Sequence, residues 1–237
     1  MKPWRRNRLV RLRPAAWAKL QAQVPASNQA ALACVDWWEH QNLPLVIVRQ
    51  DAVLAAEDGA AVLALGLPTP NCWGRQRLRF EVDAADVLEV LDFPAAAAVT
   101  ALLPLERRAG WAGLCEQLSS AAVAARVYGS FGWQQLSGCA YLRPQSDLDL
   151  LLPVAAPQVA DAACALLLAA DASFGAPRLD GELMFADGSA VAWREWAAWR
   201  SGASAQILVK RLHGVSLEAG TAWLVRAAVV ETEAVAV

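Results

Sequence analysis

Two carboxylates interrupt an apolar run in the second half of the chain. Asp147 and Asp149 alternate with leucines in the sequence SDLDLLL, residues 146–152. If this segment is a strand, successive side chains point to opposite faces, so both carboxylates share one face, while Leu148, Leu150 and Leu152 point to the other. Adjacent like charges repel and lose hydration on a buried sheet, which is costly unless a cation lies between them. Mg²⁺ is the cation that this pattern predicts, because it prefers oxygen ligands and commonly bridges protein carboxylates to substrate phosphates.

A Gly-Ser pair stands ahead of this acidic strand. Gly129 and Ser130 belong to the sequence YGSFG, residues 128–132. Glycine permits a tight turn in which backbone N–H groups and the serine hydroxyl approach phosphate oxygens closely. A Gly-Ser pair alone is usually a structural turn, and Asp-x-Asp alone is often a solvated strand end. In this order, the two motifs together predict a site for a phosphate and a metal ion.

The elements that must position these residues follow from periodicity. In the second half, apolar spacing and turn signals predict two helices, a hairpin joined by Asp187-Gly188, and two further strands. The helices are expected at Trp111–Ala125 and Pro157–Ala170, the hairpin strands at Leu179–Phe185 and Ala190–Trp193, and the other strands at Leu148–Leu152 and Ile207–Leu212.

The first third of the chain has a mixed pattern of helices and strands. Helices are predicted at Gln29–Glu39 and at Ala84–Leu91, the second with Asp83 as its cap, and strands at Leu45–Val48 and Leu78–Val82. The stretch from residue 93 to residue 110 combines prolines, an alanine run and clustered charges, which is typical of a domain boundary. We therefore predict two domains, 1–105 and 106–237.

Composition excludes several classes of protein. Hydrophobic residues make up 57% of the chain and charged residues 19%, with a net charge of -2, so a packed core is expected and nucleic acid is not an expected partner. The five widely spaced cysteines predict neither a disulfide framework nor a zinc cluster. The apolar runs are shorter than the roughly 20 residues of a membrane span, and no signal-peptide core follows the basic start. These patterns predict a soluble cytoplasmic protein with no membrane partner.

A Gly-Ser pair followed by Asp-x-Asp on the next strand, with a third carboxylate on a later strand, resembles the nucleotidyltransferase superfamily. The segments 128–134, 146–150, 179–183 and 191–196 are more closely similar to the phosphoribosyl-dephospho-CoA transferases of malonate decarboxylase, also called holo-acyl-carrier-protein synthases. This likeness is dense over residues 128–214 and thinner in the first hundred. It implies an α+β fold: a small N-terminal α/β domain, then a nucleotidyltransferase-like mixed sheet with helices.

The resemblance also implies a reaction. A serine of the acyl-carrier subunit of malonate decarboxylase would attack triphosphoribosyl-dephospho-CoA, and pyrophosphate would leave. Mg²⁺, or alternatively Mn²⁺, would be held by Asp147, Asp149 and a third carboxylate. The alternative is a nucleotidyltransferase that moves a nucleoside monophosphate to a small molecule or a protein. A catalytically dead binding fold is disfavoured because the two acids are present.

The remaining site residues are assigned by pattern within the same domain. Asp180 and Glu182 lie two apart on a predicted strand, so either could be the third carboxylate; we favour Asp180, although Asp180-Gly181 could be only a turn. Gly129 and Ser130 are expected to bind the leaving pyrophosphate part of the donor. Lys210 is expected to bind the triphosphate, with Arg143 and Arg211 as alternatives.

The N-terminal segment is basic. Five arginines occur before the first acidic residue, Asp36, which suggests a surface that steers an acidic carrier protein. A solvated tail is the alternative interpretation. The arginines are Arg5, Arg6, Arg8, Arg11 and Arg13.

Overall fold

The structure is a computed structural model that describes residues 4–50 and 61–224 of the chain. The chain forms two compact units. The first comprises the described residues of Met1–Phe93 with Leu136–Tyr141 and Leu212–Gly214, and the second those of Pro94–Gln135, Leu142–Arg211 and Val215–Val237. The main division therefore falls between Phe93 and Pro94, ahead of the predicted boundary at residue 105.

The first unit is built on a five-stranded sheet. Its strands are β1 (Leu9–Leu12), β2 (Leu45–Ile47), β3 (Val62–Pro68), β4 (Arg77–Asp83) and β5 (Val87–Leu91), in the spatial order β4-β3-β2-β1-β5. All four neighbouring pairs are antiparallel. The strands predicted at Leu45–Val48 and Leu78–Val82 correspond to β2 and β4.

Two helices accompany this sheet. They are α1 (Ala16–Gln23) and α2 (Gln29–His40). The side chain of Asn28 accepts a hydrogen bond from the Ala31 N–H at 3.2 Å, which satisfies one of the free donors at the start of α2. The inward side chains of both helices, among them Trp17 and Trp38, are buried. The predicted helix at Gln29–Glu39 is confirmed.

The predicted helix at Ala84–Leu91 is wrong. Only Ala84–Asp86 is helical, as a single 3₁₀ turn, and Val87–Leu91 is strand β5, paired with β1 from Leu9↔Leu91 to Leu12↔Val87. Asp83 makes no capping hydrogen bond there; its carboxylate pairs with Lys19 at 2.7 Å. Apolar spacing in so short a segment fits a helix or a strand equally well. Residues 87–91 form a strand because they pair with the open edge of β1.

The basic start of the chain is partly neutralised within this unit. Arg8 pairs with Asp92 and Arg11 with Glu89, both at 2.9 Å. The positive field expected from five arginines is therefore reduced, and docking of a carrier protein there stays a prediction.

The second unit contains a six-stranded sheet. Its strands are β6 (Arg126–Val127), β7 (Leu148–Pro153), β8 (Leu179–Met184), β9 (Ala190–Ala192), β10 (Gln206–Arg211) and β11 (Gly214–Ala219), in the order β11-β10-β9-β8-β7-β6. Strands β7 and β8 are parallel, whereas β6–β7, β8–β9 and β9–β10 are antiparallel. The strand predictions of this half, including the β8–β9 hairpin, are confirmed.

Up to residue 224, this half of the chain has four α-helices: α3 (Leu105–Ser120), α4 (Gly129–Ser137), α5 (Pro157–Phe174) and α6 (Trp193–Arg200). Pro157 occupies the first turn of α5, where its missing N–H costs nothing. Helix α3 begins earlier than predicted and ends at Ser120, because Ala122 adopts a left-handed backbone with φ of 60°. Buried side chains of α3, α5, α6 and the sheet form one apolar core.

The observed helices and two sheets confirm the α+β fold class. Across residues 4–50 and 61–224, no helix has the length and apolar character that a membrane crossing requires.

Candidate active site

The acidic motif lies where two parallel strands run side by side. Asp149 of β7 pairs in register with Asp180 of β8, so their side chains are neighbours on one face of the sheet. Asp147 lies just before β7 and shares the face of Asp149, as the alternation predicts. The opposite face is filled by Leu148 and Leu150, which are fully buried. Strand register therefore brings Asp180, which is distant in sequence, next to the Asp147–Asp149 pair.

Gly181 allows the two acidic strands to approach closely. It pairs with Leu150, and a Cβ at Gly181 would overlap the backbone of Leu150. Its φ of +141° is also a backbone conformation that residues other than glycine rarely adopt. The Gly181 N–H donates to Asp180 Oδ1 at 2.8 Å, which helps to fix that carboxylate.

The Gly-Ser pair begins helix α4 rather than forming an isolated turn. Gly129 has a φ of +58°, and a Cβ on it would overlap the Asp149 carboxylate. The preceding Tyr128 N–H donates to the Asp149 carbonyl oxygen at 3.0 Å, which ties this turn to β7. Ser130 is half-buried in the first turn of the helix. The structure therefore places the glycine of the first motif directly against the second acid of the other motif.

An arginine that the sequence patterns missed joins two of the acids. Arg178 donates from Nε to Asp147 Oδ1 at 3.1 Å and from Nη2 to Asp147 Oδ2 at 2.6 Å. The same Nη2 donates to Asp180 Oδ2 at 3.0 Å. The available signal was its position two residues before Asp180, which puts both on one side of an extended chain.

The three carboxylates have different environments. The Arg178 guanidinium holds the pKa of Asp147 below its ordinary value. Burial, followed by the charges of Asp180 and Asp147, raises the pKa of Asp149 to about 7. The negative charge of Asp149 is therefore costly in the folded protein.

The oxygens of this cluster suit a hard divalent cation, and a cationic guanidinium already lies between two of them. Within the described part of the chain, no group of three or more acidic, histidine or cysteine side chains is arranged so that it could hold a metal ion. Carboxylate oxygens are nevertheless the ligand type that Mg²⁺ prefers, and two of these acids, Asp147 and Asp180, are engaged by Arg178.

The other predicted site residues form a separate pair. Glu182, only 5% exposed, contacts Lys210, whose Nζ lies 2.6 Å from Glu182 Oε1. Glu182 pairs in register with Leu151, two residues beyond the Asp149–Asp180 pair. This geometry favours Asp180 over Glu182 as the third carboxylate. The triphosphate-binding role of Lys210 stays a prediction, and the alternative Arg211 is paired with Glu218 at 3.1 Å.

Two family models match the chain and together cover most of it. Residues 5–93 match the phosphoribosyl-dephospho-CoA transferase MdcG N-terminal domain, and residues 91–220 match the MdcG C-terminal domain. The second match contains the whole carboxylate cluster.

Curated relatives agree with these matches. A phosphoribosyl-dephospho-CoA transferase of Xanthomonas euvesicatoria pv. vesicatoria is 35% identical over 82% of this chain and 87% of the relative. One of Bradyrhizobium diazoefficiens is 35% identical over 91% of this chain and 90% of the relative. One of Xanthomonas campestris pv. campestris is 33% identical over 87% of this chain and 92% of the relative. No solved structure matches the chain. With both family domains matched and relatives aligned along most of their lengths, this chain, a transferase, belongs to the phosphoribosyl-dephospho-CoA transferase family.

Proposed function

We propose that this enzyme transfers 2'-(5''-phosphoribosyl)-3'-dephospho-CoA from its triphosphate donor to a serine of the malonate decarboxylase acyl-carrier protein. The observation that supports this most directly is the convergence of Asp147, Asp149 and Asp180 at the β7–β8 pair of a chain from this family. The serine Oγ forms a bond to the α-phosphorus, and the bond from that phosphorus to the pyrophosphate oxygen breaks. Pyrophosphate and the serine proton are released, and a phosphodiester remains.

The carboxylates are proposed to hold Mg²⁺, which when bound stabilises negative charge on the transferred phosphoryl group and the leaving oxygens. Asp149 and Asp180 would supply oxygens from adjacent strands, and Asp147 would supply oxygens from the residue that precedes β7. Gly129 leaves the space that the Asp149 carboxylate occupies. The Ser130 hydroxyl, in the first turn of α4, is proposed to donate to the pyrophosphate part of the donor.

The experiment that tests the proposed substrate is intact-protein mass spectrometry of the carrier. Purified carrier protein is incubated with the enzyme, the triphosphate donor and Mg²⁺, and a parallel reaction contains ATP in place of the donor. A mass increase equal to phosphoribosyl-dephospho-CoA is expected with the donor alone. A nucleoside monophosphate adduct in the ATP reaction, without the larger adduct, would favour the nucleotidyltransferase alternative. A carrier whose acceptor serine is replaced by alanine is the matched control.

Removal of divalent cations is expected to stop the transfer. With excess EDTA we expect at least a hundredfold lower rate, because charge on the phosphoryl oxygens is then opposed by three carboxylates. Excess Mg²⁺ or Mn²⁺ should restore the rate, since both accept oxygen ligands, and Zn²⁺ should not be needed. The check is the initial rate of carrier modification; an unchanged rate in EDTA would contradict the assignment of a metal to this cluster.

Replacing Gly129 by alanine is expected to impair the reaction far more than it impairs folding. The new methyl group would displace the Asp149 carboxylate, so we expect the transfer rate to fall about a hundredfold or more, with a stability loss of about 1–2 kcal/mol from the left-handed backbone. Gly138→Ala is the matched control, because Gly138 has a similar φ of +71° and open space around it. It should lose similar stability and keep its rate within about twofold. Equal rates in the two variants would show that Gly129 has no special role beside Asp149.

A further inference from the structure

Arg178 binds the oxygens that the proposed function assigns to a divalent cation. We infer that Arg178 occupies the oxygens of Asp147 and Asp180 and competes with the divalent cation for them. The inference rests on the proposed function, because it takes from it that these two acids are metal ligands. It adds that a residue outside the recognised motifs sets the metal affinity of the enzyme.

The geometry is that of a cation shared by two carboxylates. One guanidinium nitrogen, Nη2, donates to Asp147 Oδ2 and to Asp180 Oδ2, at 2.6 and 3.0 Å, while Nε donates to the other oxygen of Asp147. A divalent cation held by Asp147 and Asp180 would need carboxylate oxygens that the guanidinium now occupies. The two cations would therefore compete for these oxygens.

The guanidinium is placed so that release is inexpensive. The Arg178 side chain is 57% exposed, and those of Asp147 and Asp180 are 35% and 34% exposed. Ion pairs in such settings are weak, because water solvates the separated charges well. Arg178 can therefore give up the two acids to a divalent cation, whose charge is twice as large.

A second arginine of the same unit provides a comparison. Arg200 donates from Nε and Nη2 to the two oxygens of Asp161, at 2.9 and 2.7 Å, with exposures of 42% and 36%. Both hydrogen bonds of Arg200 therefore go to one carboxylate, which also accepts a hydrogen bond from the Trp196 Nε1–H. Arg178 differs because it spans two carboxylates that flank a third acid, Asp149.

The test is the affinity of the full chain for Mn²⁺, measured by electron paramagnetic resonance of the free ion and without any substrate. We expect Arg178→Gln to bind Mn²⁺ about tenfold more tightly than the unchanged protein, because a competing cation is removed. Arg178→Lys should be about threefold tighter, since an ammonium keeps the charge but loses the fork. Arg200→Gln is the matched control and should stay within about twofold. Asp149→Asn should bind Mn²⁺ weakly, which shows that the measured ion occupies this cluster.

Circular dichroism and thermal melting verify that each variant is folded, and Arg178→Lys decides the question if Arg178→Gln does not fold. Equal or weaker Mn²⁺ affinity in the Arg178 variants would overturn the inference while leaving the proposed function intact. Lack of Mn²⁺ binding by every protein would overturn both the inference and the metal assignment. The expected order of affinities without modification of the carrier would instead contradict the proposed substrate and support the role of Arg178.

Discussion

Replacing Asp149 by asparagine is expected to abolish transfer and, at pH 8, to raise the free energy of unfolding. Burial and the neighbouring Asp180 and Asp147 raise the pKa of Asp149 from 3.8 to about 7. The folded protein therefore binds this proton more tightly than the unfolded chain does, and stability falls as pH rises from about 4 to about 7. An uncharged amide of the same shape removes that cost, so we expect a gain of about 2–4 kcal/mol at pH 8.

Urea unfolding at pH 4, 6 and 8, in buffer with EDTA, measures this effect. The gain should shrink at pH 6 and be mostly lost near pH 4, where the carboxyl group is protonated in the folded protein and about half protonated in the unfolded chain. Asp147→Asn is the matched control: Arg178 lowers the pKa of Asp147, so this change removes a favourable charge and should not stabilise the protein at pH 8. Both variants should lose at least a thousandfold in transfer rate if each supplies a metal ligand. Unchanged stability of Asp149→Asn across this pH range, or a near-normal rate, would refute the role given to this carboxylate.

Replacing Gly181 by alanine is expected to have the largest effect on folding. The added Cβ would overlap the backbone of Leu150, and a backbone in a paired strand cannot turn aside as a side chain can. The strands β7 and β8 must separate locally, and we expect a loss of about 3–5 kcal/mol from this overlap and the unfavourable φ. Because Asp149 and Asp180 lie on these strands, the transfer rate of the folded fraction should fall as well.

Gly202→Ala is the control for this experiment. Gly202 has a φ of +78° with nothing near its missing Cβ, so alanine there introduces backbone strain without overlap and should cost about 1 kcal/mol. Chemical denaturation of both variants measures the difference. Similar losses at the two positions would mean that β7 and β8 accommodate the methyl group and that Gly181 is not needed for their close approach.

Local patterns were sufficient for several elements and for part of the site. The alternation of Asp147 and Asp149 with leucines predicted a strand with the acids on one face, and β7 has that arrangement. The α5 helix and the β8–β9 hairpin were also predictable, because Pro157 and Asp187-Gly188 act through their own backbone geometry. The helix predicted at Ala84–Leu91 is wrong because the conformation of this segment is not set locally. It depends on pairing with β1, which is far away in the sequence.

By itself, therefore, the sequence determined the α+β class, the acidic strand and, through the segments shared with a known family, the class of enzyme. Only the tertiary structure decided which later acid lies beside Asp149, because that depends on the register between β7 and β8. The tertiary structure also places Arg178 within hydrogen-bond distance of Asp147 and packs Gly129 against the Asp149 carboxylate. Side-chain periodicity is local and can be read along a chain, whereas strand register and close approach are set by packing between distant segments.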